Sequence, residues 1–317
     1  MISDLGLGAR SIIDLIGNTP VVRIKNGFLK EQSSLGAKTD SFTRKENVEL
    51  LIKLEGMNPS GSIKDVAALY MILDAEKKGR LKQGDTIIES TSGNTGISLA
   101  MIAAVKGYKI KLVMPENASE ERKKIMRGYG AELILTPANQ GVDGAIMKAR
   151  ELVKEDSSLV YLNQYDNPAN WLGHYYITGN EVWRQTNGHI THLVAGIGTG
   201  GTIMGAGKRL KELDSEVKII GVEPVRGHHI QGLKNMSESR QPGIYDESML
   251  DEKIMVNDDE AFKAARWLAR EHGLLVGMST GAAVSAAIRI AEGLDYGVIV
   301  VISPDNGFKY LSTELFE

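Results

Sequence analysis

From residue 51 onward, short aliphatic runs alternate with longer runs whose apolar positions recur at helical spacing. This alternation constrains the fold more than any other feature of the chain. The strand-like runs are residues 51–55, 86–89, 109–114, 132–136, 159–162, 191–195, 217–222 and 298–302. The helix-like runs are residues 65–78, 95–106, 119–128, 142–154, 174–186, 202–213, 259–272 and 281–292. Strands that take turns with helices assemble into parallel sheets covered on both faces. Thr86-Ile87-Ile88 and Val298-Ile299-Val300-Val301-Ile302 are nearly all apolar, as strands buried on both sides should be. Ahead of this region come a short helical pattern from residue 11, the turn Gly17-Asn18-Thr19-Pro20, a strand over residues 21–24 and a polar surface loop over residues 27–48. A length of 317 residues admits two domains. A seam is expected near residues 160–175, where Asn167-Pro168-Ala169-Asn170 interrupts the alternation.

Composition removes several function classes. Forty acidic and 37 basic residues leave a net charge of −3, which gives no support for a nucleic-acid partner or an anionic membrane surface. The chain has no cysteine, so disulfides, thiolate metal sites and a cysteine nucleophile are excluded. No run of 18 apolar residues is present, and Met1–Arg10 lacks the basic start and apolar stretch of a signal peptide. A cytoplasmic location is the expectation. The six histidines show no ligand-like spacing, and the adjacent His228 and His229 would point opposite ways in an extended loop, so no metal site is expected.

Chemistry-bearing residues gather in loops that follow strands. Asn58-Pro59-Ser60-Gly61-Ser62-Ile63-Lys64-Asp65 lies between a strand and a helix, with Ser62 placed to cap that helix. A lysine at a helix N-terminus among uncharged neighbours is disfavoured in its protonated form, which makes its amine a better nucleophile or base. Taken alone, Lys64 is as well explained as a solvated lysine in a first helical turn. Ser90-Thr91-Ser92-Gly93-Asn94-Thr95-Gly96 offers hydroxyls and backbone N–H groups at a strand's carboxyl end, which suits a carboxylate. The plainer alternative there is a capped turn. Gly196-Ile197-Gly198-Thr199-Gly200-Gly201-Thr202 opens another helix and suits a phosphate. Gly196, Gly198 and Gly201 also satisfy a G-x-G-x-x-G pattern, with Glu223 at the end of the next strand, so a nicotinamide-dependent oxidoreductase competes. Ser279 in Gly277-Met278-Ser279-Thr280-Gly281-Ala282-Ala283 offers a neutral hydroxyl or an N-cap. Asp305 in Ser303-Pro304-Asp305-Asn306-Gly307 lines a pocket or merely makes a turn.

These stretches together resemble one family, the cysteine synthases among the pyridoxal-phosphate enzymes of the β-family (fold type II). The matching residues run across the whole chain: Ile16-Gly17-Asn18-Thr19-Pro20, Lys53-Leu54-Glu55, residues 58–65, 91–96, 167–170, 198–202, Gly221-Val222-Glu223-Pro224, 277–283 and Tyr310-Leu311-Ser312-Thr313. Ile97-Ser98-Leu99-Ala100-Met101 with Met114-Pro115-Glu116-Asn117-Ala118-Ser119 looks most like the B-type enzymes.

The resemblance implies an α/β fold of two domains, each an open, twisted, mostly parallel sheet flanked by helices, as in the tryptophan synthase β-like fold. Residues 46–162 would form a smaller N-terminal domain with the lysine and substrate loop. Residues 1–45 with 163–317 would form a larger one with the phosphate loop. It implies a transferase that converts O-acetylserine or O-phosphoserine, through an aminoacrylate, to L-cysteine with sulfide or a thiocarboxylate as donor. Lys64 would form the Schiff base with pyridoxal 5'-phosphate and act as acid and base. Asn94 would meet the ring hydroxyl, Gly198, Thr199, Gly200, Gly201 and Thr202 the phosphate, and Ser279 the pyridine nitrogen. Thr91, Ser92, Gly93 and Thr95 would grip the substrate carboxylate, with Gln164 closing from the other domain. Lys234 or Arg226 is expected to recognise an anionic leaving group. The implied partners are the amino-acid substrate, a sulfur donor that includes a sulfur-carrier protein, and a second copy in a homodimer. Cystathionine β-synthase-like exchange and β-elimination of cysteine or serine remain alternatives on the same fold. Val66 departs from the arginine common after Ser-Ile-Lys-Asp, a change expected to affect packing.

Overall fold

The computed structural model describes residues 9–24 and 47–317; the expected loop over residues 27–48 falls almost wholly outside them. Contacts group residues 9–18 and 58–164 into one compact unit, and residues 19–24, 47–57 and 165–317 into a second.

The smaller unit holds a four-stranded parallel sheet of β3 (Thr86–Ser90), β4 (Lys109–Pro115), β5 (Glu132–Thr136) and β6 (Leu159–Tyr161), in the order β5-β4-β3-β6. Its helices are α1 (Lys64–Lys77), α2 (Asn94–Lys106), α3 (Glu120–Gly128) and α4 (Gly141–Glu155). The chain builds outward from β3 to β5 and then returns to place β6 on β3's other side. The loops after β3 and β6 therefore diverge at a switch point, where open α/β sheets take ligands. Ile88, Val113 and Leu159 pack with Ala145 and Ala149 of α4, so the hydrophobic effect fixes that face.

The larger unit holds a six-stranded sheet in the order β1-β2-β10-β7-β8-β9. Its strands are β1 (Val21–Ile24), β2 (Val48–Leu54), β7 (His192–Gly196), β8 (Lys218–Pro224), β9 (Glu252–Val256) and β10 (Gly297–Ser303), all parallel to their neighbours except the antiparallel β1. β7 and β10 flank its switch point, so the loop after β7 lies at a ligand edge too. The helices are α5 (Pro168–His174), α6 (Asn180–Gln185), α7 (Gly201–Leu213), α8 (Asp258–His272) and α9 (Met278–Gly293). Ala282, Ala283, Ala286 and Ala287 of α9 are buried with Val194, Ile299 and Val301. Their small side chains let the helix lie close to the sheet at interior packing density.

Three expectations need correction. The division falls at residue 58 instead of 46, because β2 is paired on both sides, to β1 and to β10, and so belongs to the larger sheet, while residues 9–18, expected in the larger domain, group with the smaller unit. The seam expected near residues 160–175 falls between residues 164 and 165, but Asn167-Pro168-Ala169-Asn170, expected to interrupt the alternation there, starts a helix. Asn167 Oδ1 accepts the Ala169 N–H at 3.0 Å and Pro168 takes the first helical position, where its missing N–H costs nothing. The helix expected at 174–186 thus begins at Pro168 and runs through a π-helical turn, Tyr175–Gly179, into α6. β9 was not anticipated: it is an edge strand whose Glu252 and Lys253 hide its apolar period.

A buried ion cluster ties β2 into the larger unit. Lys53 Nζ is fully buried, donates to Thr19 O at 2.7 Å and to Glu181 Oε2 at 2.5 Å, and lies 3.9 Å from Glu55 Oε1. Thr19 Oγ1 donates to that same Glu55 oxygen at 3.1 Å. Removing one partner of a buried pair strands the other's charge, a penalty of about 3–5 kcal/mol. Lys53→Met should lower the unfolding free energy in urea by that amount; a loss below about 1 kcal/mol would mean that the cluster is solvated on the scale of a surface pair.

Candidate active site

Lys64 is the first residue of α1 and is half-buried. The preceding turn is closed by the Gly61 N–H donating to Asn58 O at 2.8 Å, and Asn58 Oδ1 accepts the Gly17 N–H at 2.8 Å. Ser62 does not occupy the cap position expected for it: Ile63 does, with helical backbone angles and no side-chain cap. The buried Ser62 hydroxyl instead accepts the Lys64 N–H at 3.3 Å. Asp65, fully buried, accepts the Ser60 N–H at 2.7 Å and the Ser60 hydroxyl. Ser60 Oγ lies 3.0 Å from Ser98 Oγ, and Ser98 Oγ lies 3.1 Å from Asn94 O. With the Ser60 proton given to Asp65, the single Ser98 proton goes either to Ser60 Oγ, which links the turn before Lys64 to α2, or to Asn94 O within α2. Val66, fully buried, is a packing residue as expected.

The loop after β3 is pinned at both ends. The Thr91 N–H donates to Val113 O at 3.0 Å, and the Gly93 N–H donates to Thr91 Oγ1 at 3.2 Å. Gly93 holds the cap position of α2 and offers no side chain there, which suits the approach of an anion to the helix end. Buried Thr95 donates to Gln164 Oε1 at 2.7 Å, and Gln164 Nε2 donates to Ser90 O at 3.2 Å. Gln164 therefore belongs to the same unit as this loop, not to the other domain, because β6 delivers it to the switch point beside β3.

In the larger unit, β7 leads through residues 197–200 into α7. Gly200 holds the cap position of α7 at φ 85° and, like Gly93, offers no side chain to the first-turn N–H groups. Close approach explains two glycines. A Cβ at Gly198 would stand 2.5 Å from Gly232 O, and one at Gly201 would collide with Asn170 Oδ1. Asn170 Nδ2 donates to Thr199 Oγ1 at 3.3 Å. The buried His174 ring places Nε2 3.4 Å from Thr202 Oγ1 and Nδ1 3.0 Å from Thr178 Oγ1. Asn170 and His174 thus brace the loop. Asn170 had a signal in the 167–170 stretch, whereas His174 had none. A glycine-floored turn with two threonine hydroxyls and uncapped helix donors fits a phosphate monoester.

Ser279 is buried in the first turn of α9, and Gly277 holds the cap position, so the Ser279 hydroxyl is not needed as a cap. Asp305 is buried and accepts the Tyr310 hydroxyl at 2.6 Å, which makes it a structural anchor of the C-terminal segment. Glu223, the acid of the dinucleotide alternative, is buried, accepts the Met236 N–H at 2.9 Å and has Lys253 Nζ at 3.2 Å. Lys234 is half-buried. Its N–H donates to Ile197 O at 2.9 Å beside the glycine loop, and its Nζ lies 4.4 Å from the centre of the Tyr165 ring. Arg226 is exposed and donates to Ser237 Oγ at 2.9 Å. Among the described residues, no group of three His, Asp or Glu could hold a metal ion and no helix is long and apolar enough to cross a membrane.

Sequence inspection also passed over Glu89. It is fully buried at the end of β3, and burial pushes its carboxyl up to about 8 against the pull of the Ser90, Gln164 and Asn163 N–H groups. The folded protein holds this proton up to about pH 8, whereas the unfolded chain releases it near the ordinary 4.5. Its contribution to stability is therefore full below 4.5 and is lost as pH rises toward 8. Glu89→Gln cannot ionise, so its stability relative to the wild type should climb between pH 5 and pH 8, by at most about 1.4 kcal/mol per pH unit. Urea unfolding of both proteins at the two pH values checks this; an unchanged difference would mean an ionised Glu89 in the folded state.

Comparison with known proteins agrees with this geometry. The model of the family described as "Pyridoxal-phosphate dependent enzyme" matches residues 12–305. The chain is 50% identical to a cysteine synthase of Aquifex aeolicus, covering 96% of this chain and 92% of that one. It is 44% identical to cysteine synthase B of Salmonella typhimurium, covering 95% and 94%. The crystal structure of O-acetyl serine sulfhydrylase isoform 3 from Entamoeba histolytica superposes with a TM-score of 0.88 at 37% identity, over 98% of this chain and 92% of that one. With Lys64 heading α1 and an uncapped, glycine-floored turn heading α7, the chain belongs to the pyridoxal-phosphate dependent enzymes, in their cysteine synthase branch.

Proposed function

We propose that the protein makes L-cysteine by replacing the β-substituent of an activated serine, with pyridoxal phosphate as cofactor. The observation that supports the assignment of residues is the polar contact from Asp65 through Ser60 to Ser98 of α2, which ties the turn before Lys64 to the helix that Asn94 begins. The cofactor supplies a sink for electrons at the substrate α-carbon, which lowers the cost of removing a proton there. Lys64 Nζ would hold the cofactor and, as a free amine, would take the substrate α-proton and later return one. Asn94 orients the ring through its hydroxyl. Residues 198–202 hold the phosphate with the first-turn N–H groups of α7. Ser279 would offer the ring nitrogen a neutral hydroxyl, which would stabilise positive charge there less than a carboxylate and favour replacement at the β-carbon over transamination. Thr91, Ser92, Gly93 and Thr95, with Gln164, bind the substrate carboxylate and fix the α-carbon. The family resemblance brings with it a homodimer working in the cytoplasm.

Lys234 gives the leaving group a charge partner. Its backbone is fixed beside the glycine loop, and its ammonium rests on the Tyr165 ring. A point charge of this kind suits the phosphate of O-phosphoserine and does little for an acetyl group. Sulfide is the simplest donor, and a sulfur-carrier thiocarboxylate is the alternative.

Release of L-cysteine from O-acetylserine or O-phosphoserine, with sulfide and with a carrier thiocarboxylate, tests the reaction. Turnover with at least one pair is expected, and no cysteine from any pair would refute the assignment. Lys234→Ala should lower kcat/KM for O-phosphoserine about tenfold or more, a loss of at least roughly 1.4 kcal/mol, and affect O-acetylserine far less. An unchanged phosphoserine rate would remove Lys234 from substrate recognition.

A further inference from the structure

One buried carboxyl of the smaller unit has no part in the roles above. Glu89 stands at the carboxyl end of β3, one residue before the loop that carries Thr91 to Thr95, and is fully buried. Its Oε1 accepts the Ser90 N–H at 3.1 Å, and the Asn163 and Gln164 N–H groups face the same carboxyl. Its Oε2 has no hydrogen-bond partner among the described residues. Asn163 has φ 53°, a left-handed conformation that asparagine adopts more readily than other side chains, as Asn18 and Asn187 also do here, and it turns the chain after β6 toward β3. The residue after it is Gln164, whose side chain joins Ser90 O to Thr95 Oγ1. A buried acid placed only for stability has no reason to collect the N–H groups of two chain segments. Here those segments are the two that diverge at the switch point of the sheet.

We propose that Glu89 is a positioning residue for substrate binding: by gathering the N–H groups of Ser90, Asn163 and Gln164 it sets the Gln164 amide against Thr95 and so shapes the carboxylate loop. The proposal rests on residues 91–95 being that loop. Glu89→Met keeps the volume and removes both acceptors, whereas Glu89→Gln keeps one carbonyl oxygen for the N–H groups. In the holoenzyme, Glu89→Met should raise KM for the amino-acid substrate about tenfold while kcat changes less than about threefold, and Glu89→Gln should recover most of that KM. Amide hydrogen exchange supplies a readout apart from turnover: Asn163, Gln164 and Thr95 should exchange faster in Glu89→Met and slowly in Glu89→Gln. Unchanged KM and exchange in Glu89→Met would overturn the proposal, as would a loss of kcat alone in Glu89→Gln, which would mark a catalytic carboxyl. If Glu89→Met does not fold, Glu89→Gln decides: slow exchange at Asn163 and Gln164 with near-native KM supports the proposal, and fast exchange with native KM overturns it. If the wild type releases no L-cysteine, the functional assignment fails instead. Calorimetric binding of O-acetylserine and the exchange comparison then still report on Glu89 itself.

Discussion

The hydrogen bonds from Ser60 to the buried carboxylate of Asp65 are the interaction on which the site depends. A lysine at the start of a helix is ordinarily a mobile, solvated side chain. Asp65 fixes where that side chain starts by binding the turn before the helix to the helix's own first turn. Ser60 Oγ lies 3.0 Å from Ser98 Oγ on α2, the helix that Asn94 begins. A buried carboxylate must be satisfied by donors, so this network cannot loosen without a desolvation penalty. The positions of Lys64 and Asn94 are thereby set by groups that do no chemistry, which is the general way a preorganised site is supported.

The two units solve the same problem with the same device. Each sheet has a switch point, and each places an uncapped helix N-terminus there: Gly93 heads α2 and Gly200 heads α7. In a fold built from parallel strands, these ends are where backbone donors are free of the ladder and face outward. The glycines admit a close neighbour in place of a side chain, as the contact of Gly201 with Asn170 shows. Anion binding is thus a consequence of topology, and the residue types at the two ends distinguish the anions. Hydroxyls and one amide suit a carboxylate, and glycines with two threonines suit a phosphate monoester.

Much of this was legible in the chain. Strands β3 and β10 announced themselves because burial on both faces leaves an unbroken apolar run, and the loops after β3 and β7 could be located from them. β9 was hidden because an edge strand needs charge, and Glu252 and Lys253 break its period. The place of β2 was misjudged because its pairing with β1 and β10 is decided by residues far apart in sequence. Pro168 looked like an interruption because proline marks both ends and beginnings, and only the Asn167 cap distinguishes them. The resemblance pointed to Lys64, Asn94, the glycine loop and Ser279. It could not reveal Asp65, Asn170, His174 or Glu89 as supports, because a side chain that braces a site has no spacing rule of its own.

The central claim is that Lys64 carries the cofactor. Borohydride reduction of the purified holoenzyme followed by peptide mass mapping tests it directly. The account predicts loss of the yellow colour and a single pyridoxyl adduct on the peptide that contains Lys64. An adduct on another lysine, or a colourless protein that takes up no pyridoxal phosphate, would contradict it.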